Sequence, residues 1–492
     1  MLEFGLSALQ ALAALLVFVI GVALFAAVCV ALVDRAQTED AVRRNYPLIG
    51  RFRSVFSALG EFFRQYFFAM DREEMPFNRA QRHWIERAAD GHGNTIAFGS
   101  TKPLNVPGAT IFAPTAFPAL EEEHHSVPPL TIGPDCTHPY EANSFFNISG
   151  MSYGALSKVA VEALSRGAAK AGCWLNTGEG GLSPYHLTGG CDIIFQIGTA
   201  KYGVRDREGR LSKEKLAEVA GNENVRMFEI KLAQGAKPGK GGILPAEKVT
   251  AEIAGIRGIS EATASISPNR HVEAPDIAGL LDLINVVRSA TGKPTGIKFV
   301  MGDPGFVDAL MVEIKQCGIA PDFITIDGGD GGTGAAPMPL MDNVGLTVRE
   351  ACPLLDDALR RHGLRGRVRI IASGKLVNPS DVAYALAAGA DFVVSARGFM
   401  FSLGCIQALK CNKNTCPTGI TTHDPRFQRG LVPIDKADNV ANFHKGVVKE
   451  VEMIAHSCGA PHARAMTRDA IRIVRRSGRT ESLSTIYPEV TG

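Results

Sequence analysis

Cys405, Cys411 and Cys416 stand within twelve residues at C-x5-C-x4-C spacing, and Pro417 follows at once. Thiols this close can converge on one soft metal centre, because thiolate sulfur suits both iron–sulfur clusters and zinc. Structural zinc favours four ligands and tighter C-x2-4-C pairs. The wider spacing here turns the reading toward a cluster, while His423 would complete a Cys3His zinc site. Three free thiols are the remaining alternative. The other cysteines are scattered, with no disulfide framework in their spacing, so a reducing compartment is expected.

A second set of chemistry-bearing residues falls in Gly-rich runs that follow apolar ones. Gly150-Met151-Ser152-Tyr153-Gly154 is small enough to let a planar ring approach the backbone. Asn176–Gly181 reads NTGEGG and isolates Glu179 between glycines. A carboxylate there can shuttle protons or simply cap a helix. Gln196 and Lys201 follow the next apolar run. The stretch Glu229–Gly242, EIKLAQGAKPGKGG, looks like a P-loop, but no Ser or Thr follows Lys240, which excludes an NTPase. It leaves Lys231, Gln234 and Lys237 as groups suited to an anionic substrate. Lys298 sits inside the apolar run GIKFV. A lysine there is costly without a partner, and a cation near a flavin's pyrimidine end stabilises the charge that develops on reduction. Asp327–Pro337, DGGDGGTGAAP, offers successive backbone N–H groups to a phosphate, and Ser373-Gly374-Lys375 and Ala396-Arg397-Gly398 repeat the pattern. Three such clusters point to a phosphorylated cofactor. Its expected contacts are Gly331, Gly332, Thr333, Gly374 and Gly398 at the phosphate end, and Met151, Ser152, Gln196 and Lys298 near the ring. No G-x-G-x-x-G follows a strand, so a Rossmann-type dinucleotide site is not expected.

These residues need elements to hold them. Apolar runs at Phe145–Ser149, Trp174–Thr177, Ile193–Ile197, Met227–Leu232, Gly296–Val300, Phe323–Asp327, Arg369–Ser373 and Phe392–Ser395 read as strands. Helical stretches separate most of them, so the expected fold class is α/β, a (β/α)8 TIM barrel. A doubly wound open sheet is the alternative; Gly-rich chemistry after many strands rather than one or two favours the barrel. Function then belongs on the loops at the strand C-termini, where the unusual residues fall.

The chain has 492 residues and a formal net charge of +2, a balance that gives no sign of nucleic-acid binding. Gly5–Val33 carries no charge and is long enough to cross a bilayer. MLEF lacks the basic leader of a signal peptide, and Arg35, Arg43, Arg44, Arg51 and Arg53 follow the span, which predicts a single-pass anchor with a cytoplasmic body. Tyr46–Phe68 is aromatic and basic at helical spacing; it either lies on the membrane or packs on the body. The expected organisation is a transmembrane helix over 5–33, a membrane-proximal helical segment over 34–90, the barrel with its cysteine loop over 91–434, and a helical C-terminal tail over 435–492.

From about Asn143 to Arg468 the chain resembles the FMN domain of the glutamate synthase large subunit. The shared runs are GMSYGALS, NTGEGG, FQIGTAKYGV, EIKLAQGAKPGKGG, DGGDGGTGAAP and GCIQALKCNKNTCPTGI. With the N-terminal span, the whole resembles stand-alone, membrane-tethered members of the FMN-binding glutamate synthase family. The resemblance implies FMN at the barrel mouth and a 3Fe-4S cluster held by Cys405, Cys411 and Cys416. It implies Glu179 as a catalytic carboxylate, with Gln234, Lys237 and Arg257 around 2-oxoglutarate or its imine, and Lys298 beside the flavin. It does not extend to the family's glutaminase domain or its C-terminal β-helix domain. The implied reaction is reduction of 2-iminoglutarate, from 2-oxoglutarate and ammonia, to glutamate, with electrons delivered by a donor protein or subunit. The alternatives are a membrane-bound flavin and iron–sulfur electron-transfer protein, or a flavoenzyme for a different keto acid or amine.

Overall fold

A computed structural model describes residues 2–37, 40–118, 120–123, 125–488 and 490. The apolar runs become parallel strands: β1 (Phe146–Ile148), β2 (Leu175–Asn176), β3 (Ile193–Ile197), β4 (Val225–Lys231), β5 (Thr295–Val300), β6 (Phe323–Asp327), β7 (Arg369–Ser373) and β8 (Phe392–Ser395). They pair in sequence order and close, β8 returning to β1 with Ser395 opposite Ile148. Strands of such a barrel are covered on both faces, which is why they read as continuous apolar runs rather than alternating ones. In β3 and β6 every residue is buried.

The hairpin Leu130–Ile132 with Tyr140–Ala142 closes one mouth. Its Ile132 and Tyr140 pack with Trp174, Ile194, Met227, Phe323 and Phe392, all at or near strand N-termini. That apolar plug leaves the opposite mouth, at the strand C-termini, to polar chemistry.

The chain divides into two compact units, Met1–Ala80 and Gln81–Gly492. The second begins ten residues before the expected boundary. Ile85 is fully buried and Trp84 donates to Glu450 at 3.1 Å, with its ring edge-on to Phe443, so this stretch belongs with the barrel. The tail also differs from expectation. Its helix, Pro433–Ser457, lies against Lys158–Ala171, where a Cβ on Gly167 would come within 2.4 Å of Val440. Beyond it Ile471–Val474 is a strand, paired with Thr110–Phe112 and Thr480–Ser482. The partner strand lies more than 350 residues away in sequence, so helical periodicity could not reveal it.

In the first unit, Leu2–Ala36 is one continuous helix, and Phe4–Ala36 is long and apolar enough to cross a membrane. Ile49–Phe63 follows it, and Phe52, Phe56, Phe67 and Phe68 of this region are exposed. Asp34 and Arg51 form an ion pair at 2.7 Å that ties the two helices together.

Candidate active site

The short turn Gly178–Gly180 after β2 carries Glu179 to the open mouth. Gly178 has φ +64°, and a Cβ there would lie 2.5 Å from the Ser152 amide nitrogen, so only glycine fits. Glu179 in turn occupies space that Gly198 and Gly242 leave free: a Cβ on either would fall within 2.6 Å of it. Lys231, the last residue of β4, donates to Glu179 Oε1 at 2.9 Å and also bonds Gln234. Gln234 Nε2 reaches Thr333 Oγ1 at 2.7 Å, linking the loops after β4 and β6. Burial alone would raise the Glu179 carboxyl, but Lys231, Lys237 and Arg257 outweigh it and hold it below the usual range. Glu179 is therefore a carboxylate at neutral pH.

Lys237 is buried, and its ammonium is pushed down by burial and by Lys231 against the opposing pull of Glu179. Arg257 ends the helix Ala251–Arg257 and lies over the Tyr202 ring at 5.0 Å. It donates to Ser265 Oγ and the Tyr153 carbonyl, while its buried Nε finds no partner among the described residues. Glu179, Gln234, Lys237 and Arg257 thus line one cavity, the outer one, with Met151, Ser152, Gln196, Gly332 and Thr333 on its other walls.

A second, inner cavity adjoins it at the ends of β5–β8. Gly150, Gln196, Lys298, Gly332, Gly374 and Lys375 line it. Lys298 has the partner its burial requires: Asp327 lies 3.3 Å away. Burial opposes the charge on Lys298, yet Asp327 and Glu229 hold it above the ordinary lysine range. Gly374 and Lys375 both have positive φ, +125° and +49°, and successive amides so turned form an anion-binding concavity. Loops after the seventh and eighth strands are where barrels commonly bind phosphate. A phosphorylated ring cofactor fits this set: a cradle at Gly374–Lys375, small residues at Gly150 and Gly332, and a cation at Lys298. Gly331 and Gly398 line neither cavity. Gly331 is buried against Gly235 and Gly328, and a Cβ on Gly398 would meet Phe443 at 2.7 Å.

The cysteine loop lies beyond β8. Gln407, Leu409 and Asn414 all have φ between +53° and +56°. This costs Gln407 and Leu409 about 1–2 kcal/mol each, and such strain clusters at functional segments. Cys411 lines the outer cavity, with Arg397 Nη1 3.8 Å from its sulfur. Buried Lys248 bonds the carbonyls of Ala155 and Cys411, and burial pushes its ammonium down to about 8. Burial would raise the Cys416 thiol, but hydrogen bonds around Thr418 and Thr421 hold it below its ordinary value. Soft donors next to cations suit an anionic sulfide cluster in chemistry. Among the described residues, however, no three His, Cys, Asp or Glu side chains are gathered to hold a metal ion. His423 Nε2 is engaged with the Gly154 carbonyl at 2.8 Å, which removes that nitrogen from a Cys3His zinc set.

Residues 113–461 match the family model for the conserved region of glutamate synthase. The chain belongs to the glutamate synthase family. It is 40% identical over 472 residues to the glutamate synthase large subunit-like protein YerD of Bacillus subtilis, covering 87% of this chain and 90% of that one. It is 35% identical to the archaeal glutamate synthase [NADPH] of Methanocaldococcus jannaschii, over 66% of this chain and 61% of that protein. Family membership makes this chain an oxidoreductase of glutamate synthase type. Among solved structures, a flavocytochrome b2 mutant with pyruvate bound aligns over 85% of this chain and 82% of its own, at 12% identity and a TM-score of 0.46, which carries no argument about chemistry.

Sequence reasoning missed Glu229. It sits inside β4 within the apolar run and accepts hydrogen bonds from Asn176, Gln196 and Thr325. A lone acid in an apolar strand was the available signal, the same one that singled out Lys298.

Proposed function

We propose that this family member is a flavin- and iron–sulfur-dependent enzyme that reduces 2-iminoglutarate, formed from 2-oxoglutarate and ammonia, to glutamate. The carrying observation is the charge arrangement in the outer cavity. Five cations, Lys231, Lys237, Lys248, Arg257 and Arg397, line it against one carboxylate, Glu179, and that positive excess suits a substrate bearing carboxylates. Gly374 and Lys375 would hold the phosphate of FMN, and Gly150, Gln196 and Lys298 its ring; the reduced group would supply a hydride. Lys237 and Arg257 hold the substrate carboxylates. Glu179, kept ionised by Lys231, accepts the N–H of a protonated imine and turns its carbon toward the inner cavity. Reduction at that carbon would give the amine. Cys405, Cys411 and Cys416 would hold the cluster, which would supply one-electron transfer from a donor protein.

The deciding experiment is anaerobic mixing of the photoreduced protein with 2-oxoglutarate and ammonia. Flavin reoxidation with stoichiometric glutamate supports the reading. Reoxidation only by another keto acid, or only by an electron acceptor, selects one of the alternative activities instead.

Lys237→Ala is expected to weaken 2-oxoglutarate binding about ten- to a hundredfold, the loss of one charge-assisted contact worth roughly 1.5–3 kcal/mol. FMN content should be unchanged, because Lys237 lines only the outer cavity. Equilibrium titration of the purified protein checks both.

The helix Leu2–Ala36 is read as a single membrane anchor with the body on the cytoplasmic side, on the strength of the arginines that follow it. Full-length protein should sediment with membranes, and a chain starting at Gln81, where the second unit begins, should be soluble and yellow. Cleavage of the body by protease added outside intact cells would reverse the orientation.

A further inference from the structure

Glu229 is 2% exposed at the centre of the barrel and none of the steps above uses it. Its Oε1 accepts from Gln196 Nε2 at 2.6 Å and from Asn176 Nδ2 at 2.9 Å, and its Oε2 accepts from Thr325 Oγ1 at 2.5 Å. An ionised carboxylate offers acceptors only, so each amide must turn its nitrogen toward it. Gln196 is thereby left with its oxygen for the two cavities that it lines. Asn176 is left with its oxygen for the Gly178 amide, which donates to it at 2.9 Å. Gly178 opens the turn that carries Glu179.

We infer that Glu229 is a positioning residue that orients Gln196 as a hydrogen-bond acceptor toward the flavin ring and, through Asn176, holds the turn bearing Glu179. The inference rests on the flavin reading of the inner cavity. A ring imide N–H, the donor on a flavin's pyrimidine edge, is the group such an acceptor selects. Lys298, whose charge Glu229 helps to sustain, lines the same cavity. The carboxylate therefore influences the ring in two ways, by fixing an amide and by adding negative charge.

Flavin affinity and flavin midpoint potential of the full chain test this in four forms: wild type, Glu229→Gln, Gln196→Glu and the double variant. Glu229→Gln keeps an oxygen for both amides and removes a negative charge. Flavin should stay bound, with its midpoint moved to a more positive value, because the reduced, anionic ring is then less opposed. Gln196→Glu sets two carboxylates against each other, and repulsion between such close like charges should weaken flavin binding by roughly tenfold or more. The double variant restores one carboxylate and one amide with their roles exchanged, and should recover most of the affinity. A purely structural Glu229 would move no potential and give no rescue. If Glu229→Gln does not fold, the double variant decides, since it keeps one buried carboxylate. An unmoved potential with additive losses overturns the inference while leaving the flavin reading intact. A wild-type protein that binds no flavin overturns the flavin reading and the inference with it.

Discussion

Lys231→Met is expected to lower kcat/KM for glutamate formation by about a hundredfold or more, and to move the acid limb of the pH profile to higher pH. Lys231 makes the closest charged contact to Glu179, at 2.9 Å, and is the first of the cations that hold its carboxyl below the ordinary range against burial. A charge-assisted bond contributes about 1.5–3 kcal/mol, and misplacing the group that orients the imine costs a further factor of about 10². Without Lys231 the desolvation of Glu179 is less opposed, so its pKa rises and it protonates earlier on acidification. A carboxyl with a depressed folded pKa stabilises the protein above its unfolded pKa, and that contribution disappears as pH falls through the folded value. The variant should therefore lose stability at neutral pH and approach the wild type at low pH. The measurements are the pH dependence of kcat/KM and urea midpoints at neutral and acidic pH. Lost activity with an unmoved acid limb would make Lys231 a substrate ligand rather than the keeper of Glu179. Unchanged activity would put the anion site elsewhere.

Cys411→Ser is expected to abolish iron and acid-labile sulfide while leaving flavin bound. Serine is a poor ligand for soft iron, and a three-thiolate set has no spare donor. The two centres should separate because Cys411 borders the outer cavity, whereas Gly374, Lys375 and Lys298 border the inner one. Flavin reduction by an artificial donor should survive in the variant, and reduction by a one-electron protein donor should fail. Metal analysis of the wild type comes first. One zinc without iron or sulfide would abandon the electron-entry role. Loss of flavin together with iron would show that the loop supports the flavin cavity, and the contact between Arg397 and Cys411 sulfur would be the reason.

Much of the fold was legible in the chain because a barrel strand is buried on both faces, so β3, β6 and β8 stand out as unbroken apolar runs. Glycines told where backbone must approach something closely, and at Gly178 and Gly242 the structure gives the neighbour: Ser152 in one case, Glu179 in the other. The tail was less legible. Ile471–Val474 is a strand only because Thr110–Phe112 supplies its hydrogen bonds, and pairing over that separation leaves no local pattern.

By itself the sequence determined the family, the strand order of the barrel, and which loops carry Glu179, Lys231, Lys237 and the cysteines, because residue type and spacing are local properties. Tertiary structure alone decided which of these meet. It put Lys231 rather than Lys237 in contact with Glu179, and paired Lys298 with Asp327. It made Glu229 the common acceptor for Asn176, Gln196 and Thr325. Those contacts join five different strands, β2 to β6, and the loops that follow them. Closing the barrel brings them within hydrogen-bond distance, and no spacing along the chain encodes that.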